Sequence, residues 1–440
     1  MRLLSPVVLL LVGCVPESQV VSFSVSENVV TVIEVDLDLQ EGSHWIEYRG
    51  GAGELLTTSK LEGPGEFQLP LLGLHQATDV EFYLVSEEDG SRIEGDVNLI
   101  RTGTLPTWIP RSTVLGETQD GFMLMTYIGG DPNGLVIVDG SGEVVWYWAL
   151  PTELVTTEAQ FKTGNPDTPF EALLLLGDRS YTADKSAIYR IASNGKTLEE
   201  VAAPYAHHSF TQGPGSDLSW IAGDVRELDE IGPVMGDKLV RYNGQEHYTV
   251  RSTWDLFEEP DEEELDQYKS YTPLGKDWTH ANGVVWTPER DSYLFSLRNK
   301  NTVLELSREG QVIMSFGQDG DYQFDSSSEL PYEQHGTNWI AEDRLMLLSL
   351  EPTGTRAVEF LLDSDEMTAK RVWDYGLDDD GKSYVLGSIQ YLEDGRIVVN
   401  WGSRGLVERF SVEREPVWGM SLDAGSFLGS AVWIKDLYGR

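Results

Sequence analysis

Seven histidines occur in these 440 residues, and three of their surroundings are alike. "YAHHSF" carries His207 and His208, "WTHANG" carries His280, and "EQHGTN" carries His335. Each opens a strand-like run: "HHSFTQGPGSDLSWIAG", "HANGVVWTPERDSYLFSL" and "HGTNWIAEDRLMLLSL". Arg298 follows in "SYLFSLRN", on what reads as the second strand after His280. Imidazoles and a guanidinium suit two chemistries. Three histidines are a catalytic zinc set. Alternatively, Arg and protonated His hold a tetrahedral anion while a neutral imidazole attacks it. The metal reading lacks the usual supporting carboxylates: around "YAHHSF" and "EQHGTN" only Glu333 lies within three residues of a histidine. A guanidinium beside a cation site is counterproductive, so the anion reading is favoured. The plain alternative is a set of hydrogen-bonded structural histidines. His44, His75 and His247 lie before a strand or at turns and are expected to be exposed bystanders.

For these side chains to meet, their strands must converge. From about 105 to 440 one phrase recurs, a turn and then a strand ending near Trp or an equivalent. It reads "GSGEVVWYW" (141–149), "SNGKTLEEV" (193–201), "YNGQEHYTVRSTW" (242–254), "REGQVIMSF" (308–316), "MTAKRVWDY" (367–375) and "VEREPVWGM" (412–420). Six such units of about four strands predict a six-bladed β-propeller. Its inner strands start near the central channel, so residues at equivalent positions gather there. The late segment "GSAVWIKDLYG" (429–439) is expected to help close the ring. Two separate β-sandwiches are the competing arrangement.

Residues 22–104 show short alternating strands, predicting a β-sandwich. Here "LLGLHQATDVEFYLVSEEDG" resembles a fibronectin type III domain. The fold class is therefore all-β, a sandwich followed by a propeller. Between strands, 255–278 contains Glu258 to Glu264, six acidic residues and one Pro. It predicts a long loop with a short helix at "DEEELDQY", placed to cover the propeller mouth as a lid.

Net charge is −41. Nucleic-acid binding, which wants clustered Lys and Arg, is excluded by this balance. An anionic substrate must be drawn in locally, against the overall field. The start, "MRLLSPVVLLLVGC", has a charged n-region and an apolar stretch too short to span a bilayer. Leu11-Val12-Gly13-Cys14 resembles a bacterial lipobox, which implies cleavage before Cys14 and lipidation of that residue. Residues 1–14 then form the signal, 15–21 a tether, and the protein is exported and membrane-anchored. Cys14 is the single cysteine, so neither a disulfide nor a thiol-ligated metal site can form within the chain.

From 105 to 440 the motifs resemble the bacterial arylsulfotransferases (aryl-sulfate sulfotransferases). "HHSF" is similar to that family's HHD segment, "DWTHANGV" to its DWxHxNSV and "YEQHG" to its QH segment. "SLRNKNTVLELSREGQVIMSFG" and "GSIQYLEDGRIVVNWG" are similar to further blades. The resemblance implies sulfuryl transfer from a phenolic ester to a phenol, with a histidine carrier and without nucleotide, metal or other cofactor. It implies His335 as the sulfated nucleophile. His280 and Arg298 would hold the sulfuryl oxygens, with His207 or His208 as a third imidazole. Asn282, Asn299 and Gln334 would contact substrate. Ser209 replaces the family's Asp after the paired histidines and is expected to loosen their orientation. A ligand-binding or scaffolding propeller without turnover is the alternative function.

Overall fold

The computed structural model describes residues 17–440, apart from 51–52, 54, 89, 152–153, 179–184, 216, 271, 379–380 and 424. The signal segment and Cys14 lie outside the described residues. Gln19–Val25 is a strand, so it takes in the last three residues of the expected tether.

The N-terminal strands, from Gln19 to Arg101, form one seven-stranded hydrogen-bonded sheet. Its spine is the 17-residue strand Ile33–Arg49. The first half pairs with Gln19–Val25 and Leu61–Leu71, the second with Asp79–Glu88 and Leu55–Thr57. Register shifts between Leu39 and Gly42, where Gly42 has a φ of 131° that glycine tolerates. Alternate residues Ile33, Val35, Leu37 and Leu39 point into a core with Tyr48, Leu69 and Phe82. His44 corrects the sequence reading. It is fully buried, with Nε2 donating to the Gln40 carbonyl at 2.9 Å and Nδ1 within 2.8 Å of Ser86 Oγ.

The other strands make six sheets, one per blade. The six recurring phrases supply the fourth strand of each blade, from Val144–Ala149 in blade 1 to Pro416–Leu422 in blade 6. Blades are apolar on both faces because each packs between two others. Every residue of Ser292–Leu297 is buried, for example. Aromatic pairs stitch neighbouring blades: Trp146 with Phe170 at 5.6 Å, Phe316 with Phe360 at 5.0 Å, Tyr375 with Phe410 at 4.7 Å and Trp418 with Trp433 at 6.0 Å. The ring closes twice. Phe427–Ile434, last in the chain, is the inner strand of blade 1, and Ser112–Gly116 adds to the outside of blade 6.

The two parts are fastened together. Tyr438 reaches the N-terminal sheet, where its hydroxyl donates to Pro70 O at 2.9 Å and accepts from Leu72 N at 3.0 Å. His75 Nε2 meets Asp139 Oδ2 of blade 1 at 2.7 Å, so this histidine is half-buried and engaged rather than a bystander. His247 is exposed as expected, with its ring against Trp220 and Tyr242.

The acidic loop behaves differently from a lid. Its helix is the single turn Glu262–Leu265, capped by Asp261. Leu265 packs with Trp254 and Trp278, and Glu264 pairs with Lys300, whose ammonium lies 4.7 Å over the Trp278 ring. Among the described residues none from 255–275 lines the histidine cavity. An apolar residue and a paired carboxylate bind the loop to Trp254, Trp278 and Lys300 instead.

Candidate active site

Strands on three successive blades deliver the histidines. His207 and His208 lie in the inner strand Ala206–Gln212 of blade 3. His280 precedes Ala281–Thr287, the inner strand of blade 4, and His335 begins His335–Ala341 in blade 5. Register slips at each of these strands, between Ala206 and Phe210, Ala281 and Gly283, and His335 and Asn338. His208 and His280 sit at φ of 58° and 46°, a left-handed conformation rare for such residues. Bulges and strained backbone of this kind re-aim side chains at functional sites. Arg298 is not on the second strand but just past it, in the short turn Arg298–Lys300.

One cavity of about 440 Å³ is lined by His207, His208, His280, Arg298 and His335 together. Its remaining wall is largely apolar and includes Ile128, Val155, Leu175, Leu386 and Phe427. One cationic end and apolar sides suit a ligand that is half anion and half hydrocarbon.

Carboxylates stand behind the imidazoles, contrary to the expectation from sequence neighbours. His207 Nε2 donates to Asp237 Oδ1 at 3.0 Å, and His280 Nδ1 donates to Asp277 Oδ2 at 2.5 Å. Asp237 is fully buried in the blade 3 strand Gly232–Tyr242 and also accepts from Thr279 Oγ1 and the Ala281 amide. Asp277 is placed by the short strand Lys276–Asp277, which pairs in parallel with that same strand. Arg298 is ion-paired with Glu333. Ser209, where loosening is expected, has a partner of its own. Ser209 Oγ accepts from the Val284 amide at 3.2 Å, tying blade 3 to blade 4, and Asp237 supplies a carboxylate to His207.

His335 Nδ1 lies 3.0 Å from the main-chain carbonyl of Glu333. A carbonyl only accepts, so Nδ1 carries the proton and Nε2 holds the lone pair. Burial, and then the adjacent Arg298, push this imidazole down to about 3. It is therefore neutral near pH 7. Burial holds His208 well below the usual range too, helped by the surrounding His280, His207 and His335 rings and the Arg298 guanidinium.

The other expected substrate contacts are not in the cavity wall. Asn282 lines a second cavity of about 220 Å³ and donates to Gln334 O at 2.7 Å. Gln334 is fully buried, its Nε2 directed at Ser296 Oγ, Leu297 O and Thr302 O. Asn299 bridges Arg298 and the Asp277 carbonyl. All three brace the segments that carry His280, Arg298 and His335. Among the described residues no group of three or more His, Cys, Asp or Glu is arranged to hold a metal ion.

The fold and site define a six-bladed propeller with a buried cavity on its axis, lined by four imidazoles and a guanidinium. The profile of the Arylsulfotransferase (ASST) family matches residues 109–417. The chain belongs to that family. No curated protein matches it. Several solved structures are similar at low identity. A protein of unknown function from Bacteroides caccae is 13% identical, covers 72% of this chain and 100% of its own, and has a TM-score of 0.42. A catalytically inactive virginiamycin B lyase from Staphylococcus aureus, with Quinupristin, is 10% identical with a TM-score of 0.37, covering 69% and 86%. The periplasmic gluconolactonase of Pseudomonas aeruginosa is 8% identical with a TM-score of 0.37, covering 73% and 99%.

Proposed function

We propose that this protein is an arylsulfotransferase that moves a sulfuryl group from a phenolic sulfate to a phenol, with His335 as its carrier. The observation that carries the reading is the meeting of a neutral, oriented His335 with Arg298 and three more imidazoles in one half-apolar cavity. In the first half-reaction His335 Nε2 attacks sulfur and the bond from sulfur to the aryl oxygen breaks. Arg298 and His280 stabilise the sulfuryl oxygens, and the apolar wall holds the ring. In the second, a phenol oxygen attacks sulfur and the N–S bond breaks, restoring His335. A sulfuryl transition state is loose, so positioning and cationic donors do most of the work. This route uses neither nucleotide nor metal.

The test is to mix purified protein with a ³⁵S-labelled aryl sulfate and no acceptor, then map the label. Acid-labile label on the peptide bearing His335, discharged by added phenol, is expected. Transfer without labelled protein, or no transfer across a broad donor panel, would refute the carrier role.

We further read the N-terminal sheet as fibronectin type III-like, from its seven strands and separate core. The lipobox-like Leu11-Val12-Gly13-Cys14 supports export with a lipid anchor at Cys14. Radiolabelled palmitate incorporated by the wild type and not by Cys14→Ser is the expected result; equal labelling of both would reject it.

A further inference from the structure

The phenol's proton must go somewhere when the acceptor attacks, and one must return when the donor's phenolate leaves. Nothing above assigns that proton. Two contacts address it. His207 Nδ1 and His208 Nδ1 face each other at 2.8 Å, and His207 Nε2 is held on Asp237 at 3.0 Å. Only one proton fits between two imidazole nitrogens at that distance. The Asp237 carboxylate accepts and fixes a proton on His207 Nε2. While His207 is neutral, its Nδ1 is the acceptor and His208 Nδ1 carries the shared proton.

Resting on the sulfotransferase reading, we infer that Asp237, His207 and His208 form a proton relay. In it His208 exchanges a proton with the phenol, and the charge is stored on His207 beside Asp237. In the acceptor half-reaction the phenol's proton passes to His208 Nε2, and the His208 Nδ1 proton moves to His207 Nδ1. His208 ends neutral and His207 ends as a cation against its carboxylate. In the donor half-reaction both moves reverse: His208 Nε2 gives its proton to the leaving phenolate oxygen and Nδ1 recovers one from His207. Protons balance over the cycle.

The surroundings explain why the charge should not rest on His208. That ring lines the cavity and is faced by His207, His280, His335 and Arg298, all cationic or capable of becoming so. Its ring centre is 4.7 Å from that of His280. His207 has the buried carboxylate instead, and Asp237 is itself fixed by Thr279 Oγ1 at 2.6 Å and the Ala281 amide at 2.7 Å. Asp237 and His207 are thus positioning residues that act through His208. The second carboxylate, Asp277, serves His280 and is not part of this chain of contacts.

The experiment is single-turnover release of phenol from a series of aryl sulfates whose leaving phenols range from acidic to weakly acidic. It compares wild type, Asp237→Asn and His207→Gln. A proton donor matters little for an acidic phenol and much for a weak one. In both variants the loss should grow as the leaving phenol becomes less acidic, and be about 100-fold larger with unsubstituted or alkyl phenols than with nitrophenol, a size typical of general acid catalysis. His207→Gln keeps the test available if Asp237→Asn does not fold. An equal loss for every leaving group would show a merely structural role and overturn the relay, as would no loss in either variant. A wild type inactive toward every donor would instead overturn the sulfotransferase reading.

Discussion

Glu333 holds Arg298 with its carboxylate and His335 with its main-chain carbonyl. A single residue thus neutralises the cation that would bind sulfate and sets the tautomer of the nucleophile. An incoming sulfate must share Arg298 with this carboxylate. Glu333→Gln keeps the carbonyl and removes the competing charge. KM for the donor should fall about tenfold, equivalent to ~1.4 kcal/mol, while His335 stays labelled by substrate. Steady-state kinetics at low salt check this; an unchanged or raised KM would show that the pair supports binding instead.

His335 titrates at about 3, lowered first by burial and then by Arg298. The nucleophile must be neutral, so its acid limb should lie near pH 3 rather than near the ordinary 6.5. Enzyme labelling by donor should accordingly stay level from pH 7 down to about 4. The same shift affects stability. Between about 3 and 6.5 the unfolded chain binds this proton and the folded one does not, so stability falls as pH drops through that window. His335→Asn should flatten that fall, read from denaturant midpoints at pH 7 and pH 4. An identical slope in the variant would contradict the assignment.

Trp433 lies in the closing strand, edge-on to Trp418 at 6.0 Å and under the Arg409 guanidinium at 4.1 Å. Trp433→Ala empties the seam where the ring shuts. The expected loss is about 3–5 kcal/mol, seen as a marked drop in Tm. A drop under one degree would mean that closure depends on backbone pairing alone.

Tyr438→Phe removes the acceptor for the Leu72 amide and the donor to Pro70. A cost of about 1–3 kcal/mol is expected for the stranded buried groups. The second fastening has the opposite chemistry. The hydrogen bond to Asp139 raises the His75 pKa. Its stabilisation is present below the unfolded value and is lost as pH rises through the folded one. Limited proteolysis should therefore cut between the two parts faster at pH 9 than at pH 6, a difference that His75→Ala should abolish. Equal cleavage at both pH values would remove this contact from the account.

Repetition made the propeller legible. Six turn-and-strand phrases mark the fourth strands, and histidines at blade openings mark the axis. Arg298 was legible as a partner of His280, although it rides on the turn after the strand. Asp237 was not. It lies 29 residues after His208 in "GDKLV", and only pairing between the long strands Leu218–Leu228 and Gly232–Tyr242 carries it back to the imidazoles. A charged residue in an apolar strand was the available signal. Asp277 was visible beside His280 and was given no role. The lid reading rests on the loop running directly into Asp277 and His280, which says nothing of what its side chains pack against. Here Glu264 is fixed by Lys300, and Leu265 anchors the turn among tryptophans. His44 misled because the bulge at Gly42 alters the register on which strand burial is judged.

Phe427–Ile434 follows every other strand, yet it supplies the innermost strand of the first blade. Synthesis therefore runs through five blades and most of the first before any ring exists. Phe427 of that strand is part of the wall of the cavity that His207, His280 and His335 share. Just behind it, Tyr438 seats in the sheet that was made first. A chain broken off before residue 427 would lack the inner strand of the first blade and the Phe427 part of the cavity wall. The chain must therefore be made almost to its end before the wall of the cavity is whole.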